Sequence, residues 1–173
     1  MKVFLSIVLN TFVAIAIIYL LLVIIDVSFV CSFASIMKHH AHDVTVILTN
    51  KRDNLVRLAE ILTSKGVKLD KKKIESLHNF DIKRIEKLDG EDAKNARLEL
   101  TSMNDYLLST CSQLDIADEE YQQVLANINE LENVYRHHLM MYNADVLGYN
   151  FWISFFPTRF IYLILRFKPK DNI

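Results

Sequence analysis

The sequence predicts an all-α protein carried on an N-terminal membrane helix, and three observations support that expectation. Glycine and proline are scarce, with three Gly and two Pro among 173 residues, where average usage would supply roughly 20. Sheet proteins need those residues at their turns, and long helices do not. The apolar residues of the body recur at steps of three and four, the period of one helix face. Ahead of them, Val3 to Ile25 runs without a charged side chain. As a helix that run is roughly 35 Å long, enough to cross a ~30 Å hydrocarbon core.

The expected architecture is an N-terminal transmembrane helix continuing into an antiparallel up-down four-helix bundle with a long last helix. Residues 1–37 form an anchor and apolar stalk, residues 38–157 the bundle, and residues 158–173 an apolar and cationic tail. The most polar members of the anchor are Ser6, Asn10 and Thr11. Its length exceeds the roughly 7–15 apolar residues of a signal peptide, so it reads as retained despite a weak cleavage pattern at Ser32-Phe33-Ala34. Lys2 on one side and Lys38 on the other leave the orientation almost balanced.

No Gly or Pro precedes Gly66, so the anchor is expected to run on into the first bundle helix, with Val44, Leu48, Leu55 and Leu62 on its core face. Lys65-Gly66 supplies a cationic last turn and a C′ glycine. Asp70 is the expected N-cap of a second helix, whose apolar set Ile74, Leu77, Ile82, Ile85 and Leu88 carries it to Asp89-Gly90. Ala93, Ala96, Leu100, Met103, Leu107, Cys111 and Leu114 define the third. Asp115 to Asp118 then form a break whose acids suit a helix start. The fourth helix, about Asp118 to Phe156, has a stripe that takes every seventh residue: Tyr121, Ile128, Tyr135, Tyr142, Tyr149 and Phe156. Leu125, Leu139, Val146 and Ile153 run beside it, interrupted by Glu132. Gly148 weakens this helix by about 1 kcal/mol relative to Ala, and Pro157 stops it.

Helices two and three would be roughly 35 Å long and helix four roughly 58 Å. The surplus returns to the membrane end, where Val27, Phe29, Val30, Phe33, Ile36 and Met37 need cover from water. Residues 26–37 and 146–156 are therefore expected to pair as a two-helix stalk. Trp152, Arg159, Phe160, Tyr162, Arg166, Phe167 and Lys168 mix rings with cations, a composition suited to the headgroup region of a bilayer. The same tail could instead fold back and cap the bundle.

Charge excludes a nucleic-acid surface: 20 Lys+Arg stand against 21 Asp+Glu, and no basic field results. Two cysteines, Cys31 and Cys111, imply no disulfide framework. No Gly-rich phosphate loop, HExxH helix or nucleophile–base constellation occurs, so no catalytic residue, cofactor or small-molecule substrate is expected. The histidines are the nearest approach to chemistry. His39, His40 and His42 follow the anchor, and His137-His138 lie on the long helix. Neighbouring histidines on a helix point about 100° apart, so neither doublet chelates; His39 and His42 share a face and would need further ligands. Glu75-Ser76-Leu77-His78 is a lone copy of a tetrapeptide that di-iron bundles use in pairs. A membrane-tethered scaffold or interaction module, with the bilayer and a protein as partners, is the leading expectation. A lipid-sensing or remodelling protein and a metal-dependent enzyme are the alternatives.

The C-terminal third resembles the LemA family of bacterial membrane proteins. Tyr142-Asn143, Tyr149-Asn150 and Phe156-Pro157 recur at equal intervals, Phe167 follows, and the register extends upstream through Glu132, Tyr121 and Ala117. The anchor and Lys51-Arg52-Asp53 agree more loosely. Leu139 replaces a usual Arg, and two usual prolines are absent, so the chain resembles a divergent member. The resemblance implies one transmembrane helix in the cell (inner) membrane and a bundle in the cytoplasm. It implies no catalytic residue. Within the stripe, Tyr142 and Tyr149 are expected to pack inward, and Asn143 and Asn150 to hydrogen-bond a neighbouring helix.

Overall fold

A computed structural model describes residues 1–85, 90–112, 118–155 and 158–173, leaving aside the side chains of Lys2 and Leu5. Every regular element among these residues is helical: α1 Lys2–Ser64, α2 Lys71–His78, a 3₁₀ turn Ile82–Ile85, α3 Glu91–Cys111, α4 Glu119–Ser154 and α5 Arg159–Ile164. The chain falls into two compact units, one of residues 1–37 and 144–171, the other of residues 38–143 and 172–173.

The helix ends follow local rules. α1 closes on Gly66, whose φ is +82°. The Gly66 N–H reaches the Thr63 carbonyl and the Val67 N–H the Leu62 carbonyl, both at 3.0 Å. This paired closure needs a left-handed residue, which glycine supplies without strain. The Asp70 carboxylate accepts the Lys72 N–H at 2.9 Å and caps α2. Asp118 accepts the Glu120 and Tyr121 N–H groups at 3.0 and 3.3 Å and meets Lys65 Nζ at 2.6 Å. The Lys65 ammonium, then the Tyr121 N–H, hold the Asp118 carboxyl below its usual value.

The second helix is shorter than the apolar spacing predicts. Leu77 to Ile82 is a step of five, too long for one helix face. The chain turns there instead: Asn79 caps α2, Phe80 is buried, and the Asp81 carboxylate accepts the Lys83 N–H at 3.0 Å to start the 3₁₀ turn. Leu88, Asp89, Leu114, Asp115, Ala117, Phe156 and Pro157 lie outside the described residues.

In the unit of residues 38–143, one core joins Val44, Leu48, Leu55 and Leu62 of α1 to Leu77, Phe80 and Ile85. Ala96, Leu100 and Leu107 of α3 and Tyr121, Val124 and Ile128 of α4 complete it. Each fully buried Leu or Ile contributes about 1.5–3 kcal/mol. Polar bonds set the register around it. Ser76 Oγ and Arg84 Nη1 both donate to Glu99, at 2.8 and 2.9 Å. Within this unit α1 meets α4 in the opposite chain direction, through Lys65–Asp118, Arg57–Glu120 and Lys51–Glu132 at 2.6, 2.7 and 2.6 Å. Lys51 is 3% exposed, which explains the acid interrupting the α4 stripe: a buried ammonium needs a carboxylate. Burial pushes the Glu132 carboxyl up, but the bonds and charges of Lys51 and Arg136 outweigh it and leave it below its ordinary value.

In the unit of residues 1–37 and 144–171, the apolar side chains described between Val3 and Ile25 are mostly exposed. Only 11% of the most apolar window is buried, and α1 is long and apolar enough to cross a membrane. Beyond it, Phe29 stacks on Trp152 with ring centroids 4.7 Å apart. Phe33 lies so close to Gly148 that a Cβ there would meet its ring at 2.6 Å. Gly148 is thus a contact point, and its helix-weakening effect accompanies close approach. Buried Asp26, the first acid after the apolar run, accepts a hydrogen bond from the buried Thr158 hydroxyl. α5 repeats the closure of α1, with the Arg166 N–H on the Leu163 carbonyl at 3.2 Å and the Phe167 N–H on the Tyr162 carbonyl at 3.0 Å. Here Arg166 occupies the left-handed position, at φ 59°.

Candidate functional site

The two Tyr-Asn pairs divide their work as their periodicity suggests, with one difference. Tyr142 and Tyr149 are both buried at 5% exposure. The asparagines reach the C-terminal segment, where a neighbouring helix was expected. In one unit, Asn143 Nδ2 donates to the Ile173 carbonyl at 2.8 Å while its Oδ1 accepts the Ile173 N–H at 2.9 Å. In the other, Asn150 Nδ2 donates to the Lys170 carbonyl at 2.8 Å and its Oδ1 accepts the Lys170 N–H at 2.9 Å. A carboxamide presents one acceptor and two donors in a plane, so it can copy the edge of a peptide group. Each asparagine therefore satisfies both backbone groups of one residue in the non-helical C-terminal segment.

The residues predicted for the membrane interface separate into three groups. Arg159, Phe160, Arg166 and Lys168 are exposed, Phe160 at 64%, and Leu163, Ile164 and Leu165 are exposed beside them. Trp152 and Phe167 are half-buried. Tyr162, expected at the membrane interface, is instead buried at 2% exposure. The cap of α5 is the reason: its two ends close with the Tyr162 and Phe167 rings edge-on, 5.7 Å apart. Burial and the charge of Asp26 push the Tyr162 phenol up to about 12.

The histidines are arranged differently from the spacing argument. His42 is exposed, and His39 and His42 do not converge on a shared site. His40 and Asp43, three residues apart on α1, instead face His138 of α4. One ligand atom from each lies within 4.8 Å of the other two. His138 Nδ1 is 3.5 Å from Asp43 Oδ2, and His39 Nε2 reaches the same oxygen at 3.6 Å. The His40 and His138 rings meet edge-on with centroids 5.7 Å apart. All three residues are partly buried. Sequence spacing shows Asp43 one turn after the histidines; it does not show His138 opposite, because that depends on the α1/α4 register.

Burial raises the Cys111 thiol despite a hydrogen bond with Tyr121, so it packs as a small apolar residue. An open groove of about 880 Å³ between the end of α1 and α2 is walled by Val67, Leu69, Ile74, Lys71 and His78. The one hydroxyl on its wall, Thr63, donates to the Ala59 carbonyl at 2.7 Å.

No family model matches the sequence, and neither the curated proteins nor the solved structures compared with it contain a match.

Proposed function

We propose that the protein is a LemA-type single-pass membrane protein, anchored in the cell (inner) membrane by residues 3–25, whose cytoplasmic body is a non-catalytic scaffold or protein-interaction module. For that body we infer an up-down four-helix bundle with a short, broken second arm. The observation that carries the reading is α1 itself: one helix whose first part exposes apolar side chains and whose last part enters a packed, charged body. Water does not tolerate the first part, and a bilayer requires it. Four segments sharing one core support the bundle. Buried tyrosines and engaged asparagines support a structural role for the Tyr-Asn pairs, and the family resemblance rests on sequence pattern, strongest in the C-terminal third. Crosslinking full-length protein in intact membranes tests the interaction role. A discrete, reproducible partner band dependent on residues of the body is expected; monomer alone at all crosslinker positions would contradict it.

A second reading, lipid sensing, is favoured by the exposed Phe160, Leu163, Ile164 and Leu165 beside Arg159, Arg166 and Lys168. Anionic lipid in nanodiscs should then slow amide exchange in α5, and Gln at the three cations should remove the effect. Equal exchange in neutral and anionic lipid would exclude it.

A further inference from the structure

We propose that His40, Asp43 and His138 form a binding site for a divalent transition-metal ion, zinc in the first instance, that ties α1 to α4. Zinc takes imidazole nitrogen and carboxylate oxygen at about 2.0–2.2 Å in tetrahedral geometry, which puts neighbouring ligand atoms roughly 3.3 Å apart. Asp43 Oδ2 and His138 Nδ1 already stand at 3.5 Å. The widest separation in the triad, at most 4.8 Å, must close by about 1.5 Å, within reach of side-chain rotation on two packed helices.

The donor set selects the class of ion. Two imidazoles and one carboxylate suit zinc and its transition-metal neighbours, whereas calcium and magnesium require oxygen cages. Three protein ligands on a tetrahedral ion leave one position open to water or to a partner's side chain. His39 Nε2 stands 3.6 Å from Asp43 Oδ2, beside the ligand oxygen but outside hydrogen-bond distance, and its side chain is 74% exposed, so it is a neighbour of the site and not a fourth ligand. The ligands come from both helices, so binding requires their register and reinforces it.

The test is calorimetric titration of zinc into detergent-solubilised full-length protein purified without a histidine tag, with cobalt as a visible-spectrum probe. One ion per chain and a tetrahedral cobalt spectrum are expected. Losing an outer-shell partner commonly weakens metal binding 10–100-fold, so His138→Gln and Asp43→Asn should each exceed about 100-fold. His42→Gln and His137→Gln should bind as wild type. The two triad variants carry separate risks to folding, and metal-free circular dichroism identifies which remain folded. Absence of saturable binding would show that the cluster is an ion pair only. Binding that survives in both folded triad variants, or that falls equally in His42→Gln, would also overturn the site.

Discussion

Replacing Gly148 with alanine sets two opposed effects against each other. Intrinsic helix propensity favours Ala by about 1 kcal/mol. Steric contact opposes it, because the new Cβ would stand 2.6 and 2.7 Å from Phe33 Cε1 and Cζ and 3.1 Å from Cδ1. An ordinary contact is longer by roughly 1 Å, and overpacking costs about 1–3 kcal/mol. The atoms encountered are the outer edge of a half-buried ring, so the ring swings aside and the cost lies toward the lower end. Gly148→Ala should therefore yield no gain, or a net loss of about 1 kcal/mol, in the wild-type background. In a Phe33→Ala background the obstruction is gone and the same change should stabilise by about 1 kcal/mol. The coupling across the cycle is then about 1–2 kcal/mol. Trp152 is the single tryptophan of the chain and stacks on Phe29 in the same unit, so its fluorescence reports the transition. Denaturant unfolding of full-length protein in detergent gives each value. An equal gain in both backgrounds would refute the contact.

Other perturbations have signs fixed by local geometry. Arg166→Gly should raise stability by about 0.5–1 kcal/mol, because a left-handed residue with a Cβ is replaced by one without that penalty; the readout is melting temperature. Asn143→Leu and Asn150→Leu should each cost about 1–3 kcal/mol, accelerate exchange of the Ile173 and Lys170 amides respectively, and leave any partner's affinity unchanged. Lys51→Met should destabilise by about 1–3 kcal/mol by leaving Glu132 without its main cation, with Arg136 limiting the loss. Glu132 and Glu99 both have carboxyls held below the ordinary glutamate value. Their contributions are thus complete above pH 4.5 and are lost as pH falls through the lowered values. Melting temperature should fall below about pH 4.5, and less steeply in Glu132→Gln.

Much of the fold was legible because the signals are local. Scarce Gly and Pro require helix, and Gly66, Asp70 and Asp118 end or begin helices through bonds within a few residues of themselves. The α3 stripe from Ala93 to Cys111 is buried throughout, since a period of 3.6 selects one face whatever packs on it. The break after Leu77 was visible only as a step of five, too weak a signal beside an otherwise helical pattern. Partners distant in sequence were harder. The carboxamides of Asn143 and Asn150 had to bond something beside the stripe, but periodicity does not distinguish a helix from a non-helical tail. Likewise, the meeting of His40, Asp43 and His138 depends on the α1/α4 register that Lys51 and Glu132 help to set. One buried cation opposite one acid in an apolar stripe is the clue that would have aligned those helices from sequence.

The proposed membrane anchoring through Val3–Ile25 is tested most directly by alkaline extraction of membranes containing the full-length protein. The protein should remain in the membrane pellet, and Val13→Arg with Ile17→Arg, at about 2.5–3.5 kcal/mol per central arginine, should shift it to the supernatant. Release of the wild-type protein by alkali, or a membrane-free form cleaved beyond Ala34, would contradict it.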